Sequence, residues 1–173
     1  MNFLKTFIIS LVIYLGLNTV FMIIAMFTVV GYPATDVWYI IVSVFAPIAT
    51  YPGAAWVDYG VVSLLNTTDL LIDLMFFLSL IVPPLVALIV AAFIGENNLT
   101  GFGAWFLTAF LSCSLYAIFL GIGQATSPLL YSGWADLIDL FGYVGAIINI
   151  MMAGIVNGFF YGCVTILLAK KFL

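Results

Sequence analysis

LLIDLMFFLSLIVPPLVALIVAAFI, residues 70–94, is the stretch that decides the fold. It is a long apolar run with a single charge, Asp73. As a helix rising 1.5 Å per residue it extends about 37 Å, enough to cross a hydrocarbon core of roughly 30 Å with some tilt. Thr67, Thr68 and Asp69 precede it and supply a capped, acidic helix start. Pro83–Pro84 near its middle predicts a kink. Gly95-Glu96-Asn97-Asn98 follows as a turn.

Three further runs of the same kind flank it. Phe7–Val30 (residues 7–30) ends at Gly31-Tyr32-Pro33 and is too long for a signal-peptide core, so it reads as a retained first span. Phe102–Ile122 (102–122) is the third span, and Phe141–Ala169 (141–169) is the fourth, closed by Lys170–Lys171. Residues 36–65 differ, because Pro47 and Pro52-Gly53 divide them into pieces too short to span. Thr35 is placed to cap the first piece. Ser127-Pro128, a cap followed by a first-turn proline, opens another short segment over 128–140. The expected fold is an all-α integral membrane domain over residues 1–173, with four transmembrane helices and short interfacial or re-entrant segments on the non-cytoplasmic side.

Composition agrees. Of 173 residues, 66% are apolar and 6% are charged, against about a quarter charged in a soluble domain. The three basic residues are Lys5, Lys170 and Lys171; histidine and arginine are absent. Without histidine there is no imidazole for haem, zinc or copper and no ready acid/base group near neutral pH. Without guanidinium there is no bidentate anion clamp. Nothing neutralises a phosphate backbone, so nucleic-acid binding is excluded. Cys113 and Cys163 lie in apolar runs, form no CxxC pair and read as small buried hydrophobes.

With an even number of spans, all three lysines fall on one side. The positive-inside rule makes that side the cytoplasm, with both termini there and the plasma membrane as the expected location. The aspartates Asp36, Asp58, Asp69, Asp73, Asp136 and Asp139 fall toward the other side.

The most specific pattern is in the last span. Gly154, Gly158 and Gly162 recur every four residues, with Ile150, Asn157, Tyr161 and Thr165 beside the stripe. Small residues at this spacing admit a second helix closely, and Asn157 supplies a hydrogen-bonding group for the contact. The contact is either within the bundle or with another subunit. Asp69 and Asp73 share a helix face, as do Asp136 and Asp139, so these four are candidates for a cation-attracting outer vestibule. Each also has a local role, at a helix start or in keeping an interfacial segment wet. Met22 and Met26 have the spacing of a copper(I) pair but lack the partner ligands. Asn66-Thr67-Thr68 matches an N-glycosylation acceptor, and so does Asn98-Leu99-Thr100 on the cytoplasmic side.

Enzyme signatures are missing: no Gly-x-Gly-Asp, His-Glu-x-x-His or Gly-x-Ser-x-Gly occurs. No catalytic residue, cofactor or metal ligand is assigned. The reading is a non-catalytic accessory subunit of a membrane complex, whose partners are the lipid bilayer and other subunits or a second copy. Part of its basis is the aromatic outer loops, with Trp38, Tyr39, Phe45, Tyr51, Trp56, Tyr59, Tyr131 and Trp134, which need a cover. The alternative is a small oligomeric cation channel or carrier. It requires Asp73, Asn18, Asn149 and Asn157 to face a common wet path.

Overall fold

The computed structural model describes residues 2–172; the side chains of 169–172, and with them the orientation argument from Lys170 and Lys171, lie outside the described residues. All regular structure in the described residues is helical. We number the elements α1 (Phe3–Thr28), α2 (Val37–Phe45, extended by a 3-10 turn, Ala46–Ala49), α3 (the π-helical Ala54–Val62 with its last turn Ser63–Asn66), α4 (Leu70–Ile94), α5 (Asn98–Gly123) and α6 (Pro128–Phe172). Four of these, α1, α4, α5 and α6, are long and apolar enough to cross a membrane.

Polar caps set where the helices begin, and two beginnings are earlier than hydropathy suggests. α1 starts at Phe3 rather than Phe7, because Asn2 Oδ1 accepts the Lys5 N–H at 3.0 Å. α5 starts at Asn98 rather than Phe102, because Asn97 Oδ1 accepts the Thr100 N–H at 2.8 Å. These polar first turns are invisible to a search for apolar runs. Asp36, not Thr35, caps α2 and accepts the Tyr39 N–H at 3.0 Å. Asp69 caps α4, which continues from Leu70 to Ile94 through the buried Pro83–Pro84. α6 carries one break, at Gly142, whose φ of 70° favours glycine. It divides a distal arm from the long apolar helix that follows.

The four long helices are packed antiparallel in sequence. Ser10 of α1 donates to the Ala87 carbonyl of α4 at 3.5 Å, which joins the start of α1 to the end of α4. Gly101 at the start of α5 lies against Ala91 and Ala92. Gly162, late in α6, lies against Phe102, early in α5. The start of α1, the end of α4, the start of α5 and the late part of α6 therefore share one end of the bundle, which we call proximal.

Between α1 and α4, α2 and α3 form a bent pair with 100° between their axes. The pair enters and leaves at the distal end. Asp36 at its entry accepts a hydrogen bond from Ser127, at the start of α6. Asn66 at its exit leads through Thr67 and Thr68 into the start of α4. α2 and α3 are thus the limbs of a hairpin that dips into the bundle.

In α1 packing is inverted relative to a soluble protein, whereas the core of α4 and α5 also holds Leu80, Ile81, Leu88, Trp105 and Leu120. The buried positions of α1 are Thr6, Ser10, Tyr14 and Asn18, one per turn on one face, whereas Val12, Val20 and Phe27 are exposed. Lipid competes for aliphatic side chains as well as a neighbouring helix does, so polar and small groups are gathered between helices. α5 follows the same rule, burying Gly101, Ala104, Thr108, Ser112 and Cys113.

Candidate functional site

The tip of the hairpin, residues 44–56, is the most densely bonded part of the interior. A helix that stops inside the bundle leaves carbonyls without an amide partner. Pro47 and Pro52 also lack the N–H that would continue the chain's own ladder. Side chains from three long helices supply the missing donors. Asn18 Nδ2 of α1 donates to the Val44 carbonyl at 2.8 Å. Asn157 Nδ2 of α6 lies 2.9 Å from the carbonyl oxygens of Ile48, Thr50 and its own Ala153. The Cys113 thiol of α5 reaches the Ile48 carbonyl at 3.3 Å. On the other side of the tip, the Tyr51 hydroxyl donates to Asn149 Oδ1 at 2.9 Å, and Trp56 Nε1 donates to the Tyr161 hydroxyl at 3.1 Å.

Cys113 stands ten residues from the distal end of α5 at Gly123, so the tip reaches about 15 Å into the bundle. Its proximal neighbours are aromatic. Tyr14, Trp105 and Tyr161 stack edge to face, with centroids 6.0 and 6.1 Å apart, and all three are buried. Trp105 Nε1 donates to the Asn157 carbonyl at 3.3 Å, which ties this stack to the residue that holds the tip. Three buried atoms, the Tyr14 hydroxyl, Asn18 Oδ1 and Ser112 Oγ, have no hydrogen-bond partner among the described residues.

The glycine stripe of α6 faces α5. A methyl group built on Gly154 comes 2.7 Å from Cys113 Cβ, on Gly158 2.6 Å from Phe106 Cδ2, and on Gly162 2.7 Å from Phe102 Cε2. Asn157, Tyr161 and Thr165 beside the stripe are buried. Asn18, Asn149 and Asn157 all engage the hairpin; Asn18 also borders the cleft that Asp73 lines, whereas Asn149 and Asn157 are not among its lining residues.

The aspartates are dispersed. Asp69 caps α4, while Asp136 and Asp139 are exposed on the distal arm of α6. Among the described residues no three acidic or thiol side chains come together around a possible ion. Asp73 enters a concave site. It lines a cleft of about 410 Å³ between α1, the hairpin and α4, together with Met22, Tyr32, Tyr39, Met75 and Phe76.

The aromatic outer loops are a correction. Trp134 is 4% exposed, and Trp38, Tyr39, Phe45 and Tyr51 are partly buried against the bundle, so the chain covers most of that surface itself. The distal arm of α6 does this with Leu130, Trp134, Leu137 and Ile138, which sit at helical spacing against the core. Trp56, Tyr59 and Tyr131 remain exposed. Tyr51-Pro52-Gly53 with Trp56 and Asp58, and Tyr131-Ser132-Gly133 with Trp134 and Asp136, resemble each other in sequence but occupy unlike places, a hairpin limb and a surface arm.

At the distal surface, Ser127 Oγ donates to Asp36 Oδ2 at 2.5 Å and accepts the Leu130 N–H at 3.3 Å. This bond, followed by those to the α2 amides, holds the Asp36 carboxyl below the ordinary carboxylate range. Comparison with protein-family models, characterised proteins and solved structures gives no match.

Proposed function

We propose that this chain is a non-catalytic integral membrane protein that serves as an accessory subunit of a larger membrane complex. The observation that carries this reading is the use made of Asn157. Its amide, a buried polar group in the last helix, is committed to the backbone of the chain's own hairpin. Asn18 donates to the hairpin backbone in the same way, and Asn149 Oδ1 accepts from the Tyr51 hydroxyl of the hairpin. A carrier or channel needs such groups on one wet path; here Asn149 and Asn157 hold the hairpin in place, and Asn18, which borders the cleft lined by Asp73, gives its amide donor to the Val44 carbonyl.

A surface for a neighbour is also present. Around the break at Gly142, residues 139–144 are all exposed, with Leu140 at 74% and Val144 at 68%. An apolar elbow with no buried side gains contacts against a second protein that lipid chains alone supply less specifically.

In this reading α2 and α3 form a re-entrant hairpin, so the spans number four and the termini share a side. Lys5, Lys170 and Lys171 place that side in the cytoplasm, and the plasma membrane is the membrane proposed. The hairpin, the arm of α6 and the aspartates then lie on the non-cytoplasmic side.

Purification from native membranes in a mild detergent tests the proposal. The chain should elute with another integral membrane protein at fixed stoichiometry, and exchanging Leu140 and Val144 for Gln should release that partner. A chain that elutes alone and conducts cations in a planar bilayer overturns it.

A further inference from the structure

The cleft between α1, the hairpin and α4 is a ligand site that the subunit reading leaves unused. It runs from Thr28 and Tyr32 at the distal end of α1 down to Asn18, a depth of about 15 Å along the helix. Its volume of about 410 Å³ is in the range of small-molecule pockets. The walls are mainly apolar, with thioethers from Met22 and Met75 and rings from Tyr32, Tyr39 and Phe76. Asp73 is the one ionisable acid or base among the lining residues apart from the tyrosines, and its carboxylate accepts no hydrogen bond from the described residues.

This combination selects for charge. Asp73 is half-buried among apolar walls, so water screens a counter-cation there less than on an open surface. The faces of Tyr32, Tyr39 and Phe76 attract a cation by their quadrupoles. Among the described side chains Lys5 is the one basic group, and it lies seventeen residues before Met22 on α1, about 25 Å away. No lining side chain carries a positive charge, and the start of α4 offers only the partial charge of its first amides. A zwitterionic phospholipid would bring its phosphate within a few bonds of its amine, beside Asp73 and without a partner. The geometry points to a monocationic amphiphile, an ammonium on an alkyl or aryl body. The ammonium sits against Asp73 and the aromatic rings, and the apolar body lies along Met22 and Met75 toward Asn18.

Three probes of one shape separate charge from greasiness: 4-phenylbutylamine, which is protonated at pH 7, 4-phenylbutanol and 4-phenylbutyrate. Each is titrated calorimetrically into the full chain in nanodiscs, with empty nanodiscs subtracted. The amine should bind saturably, the alcohol roughly tenfold more weakly, and the carboxylate without saturation. Asp73→Asn should bring the amine to the affinity of the alcohol and leave the alcohol unchanged. Ala25→Phe, which fills the cleft from α1, should abolish binding of both while the melting temperature shows that the fold persists. Equal binding of the three probes, or an Asp73→Asn variant that keeps the full affinity for the amine, overturns the proposal. If Ala25→Phe does not fold, Asp73→Asn still decides.

Discussion

Asn157 and Ile48 are 109 positions apart in the chain, yet the Asn157 amide donates to the Ile48 carbonyl at 2.9 Å in the middle of the bundle. The same nitrogen lies equally close to Thr50, so one side chain closes off two of the carbonyls exposed where the hairpin turns. Leu at this position has a similar size and no donor. A buried carbonyl left without a partner costs about 1–3 kcal/mol, although hydrogen bonds inside membranes are often worth less because the loosened state finds other donors. Asn157→Leu should therefore lower the melting temperature in detergent by roughly 5–10 °C. It should also speed hydrogen exchange at the amides of residues 44–56 while α4 stays protected. Unchanged exchange at the tip would mean that the hairpin is held by packing alone.

The three stripe glycines face different kinds of atom, and this predicts a ranking. An added methyl on Gly154 meets the Cβ of Cys113, which is fixed by the α5 backbone. On Gly158 and Gly162 it meets the ring edges of Phe106 and Phe102, which rotate about χ1 and χ2. Gly154→Ala should cost about 2–3 kcal/mol through forced separation of α5 and α6, and Gly158→Ala and Gly162→Ala about 1 kcal/mol or less. Gly158→Leu exceeds what a ring flip absorbs, and Phe106→Ala introduced with it should restore part of the loss. Thermal melting of the set checks the order; a Gly154→Ala variant as stable as Gly158→Ala would contradict it.

The Asp36–Ser127 bond predicts a pH dependence of defined sign. The Asp36 carboxyl is held below its ordinary value, chiefly by Ser127. A depressed carboxylate stabilises the fold fully above its unfolded pKa of about 3.9, and that contribution is lost as pH falls through the folded value. Ser127→Ala also removes the cap on the Leu130 amide, a part worth about 1 kcal/mol that does not depend on pH. The melting difference between wild type and Ser127→Ala should stay constant from pH 5 to 8 and narrow below pH 4. A difference that widens in acid would show that Asp36 is protonated in the native state.

Much of this architecture can be read from the sequence, and the exceptions share a cause. The run at 70–94 identifies a span because twenty-five residues contain one charge, and the break at Pro47 and Pro52 marks two pieces too short to cross a bilayer, which leaves interfacial and re-entrant placements equally open. Thr6, Ser10, Tyr14 and Asn18 are harder to see. A reader trained on soluble helices looks for an apolar inner stripe, and in α1 the inner stripe is the polar one. The starts at Phe3 and Asn98 are missed for a related reason, since caps and polar first turns lower the local hydropathy that marks a span. Asn157 is recognisable as a contact residue, but its partner is backbone more than a hundred positions away, and no local pattern encodes that. The Asp73 cleft depends on three elements meeting, which spacing along α4 alone does not reveal.

The hairpin also makes a topological prediction, and it is the one on which the number of spans turns. The bent pair α2 and α3 has the length and composition to be counted either as one broken span or as none. Antiparallel packing of α1 on α4 favours none, since Ser10 and Ala87 pair the start of one with the end of the other. A crossing between them would place α4 in the opposite direction. Thr35 and Asn66 bracket the pair, and both are exposed. In a background with Cys113 and Cys163 replaced, Thr35→Cys and Asn66→Cys should both react with a membrane-impermeant maleimide from the same face, the face that also labels Ser132→Cys. Asn2→Cys should react only after the membrane is opened. Ile48→Cys, at the buried tip of the hairpin about 15 Å inside the bundle, should resist the aqueous reagent from either face. Labelling of Thr35→Cys and Asn66→Cys from opposite faces would make the pair a fifth span, separate the two termini and remove the common cytoplasmic side on which the three lysines are placed.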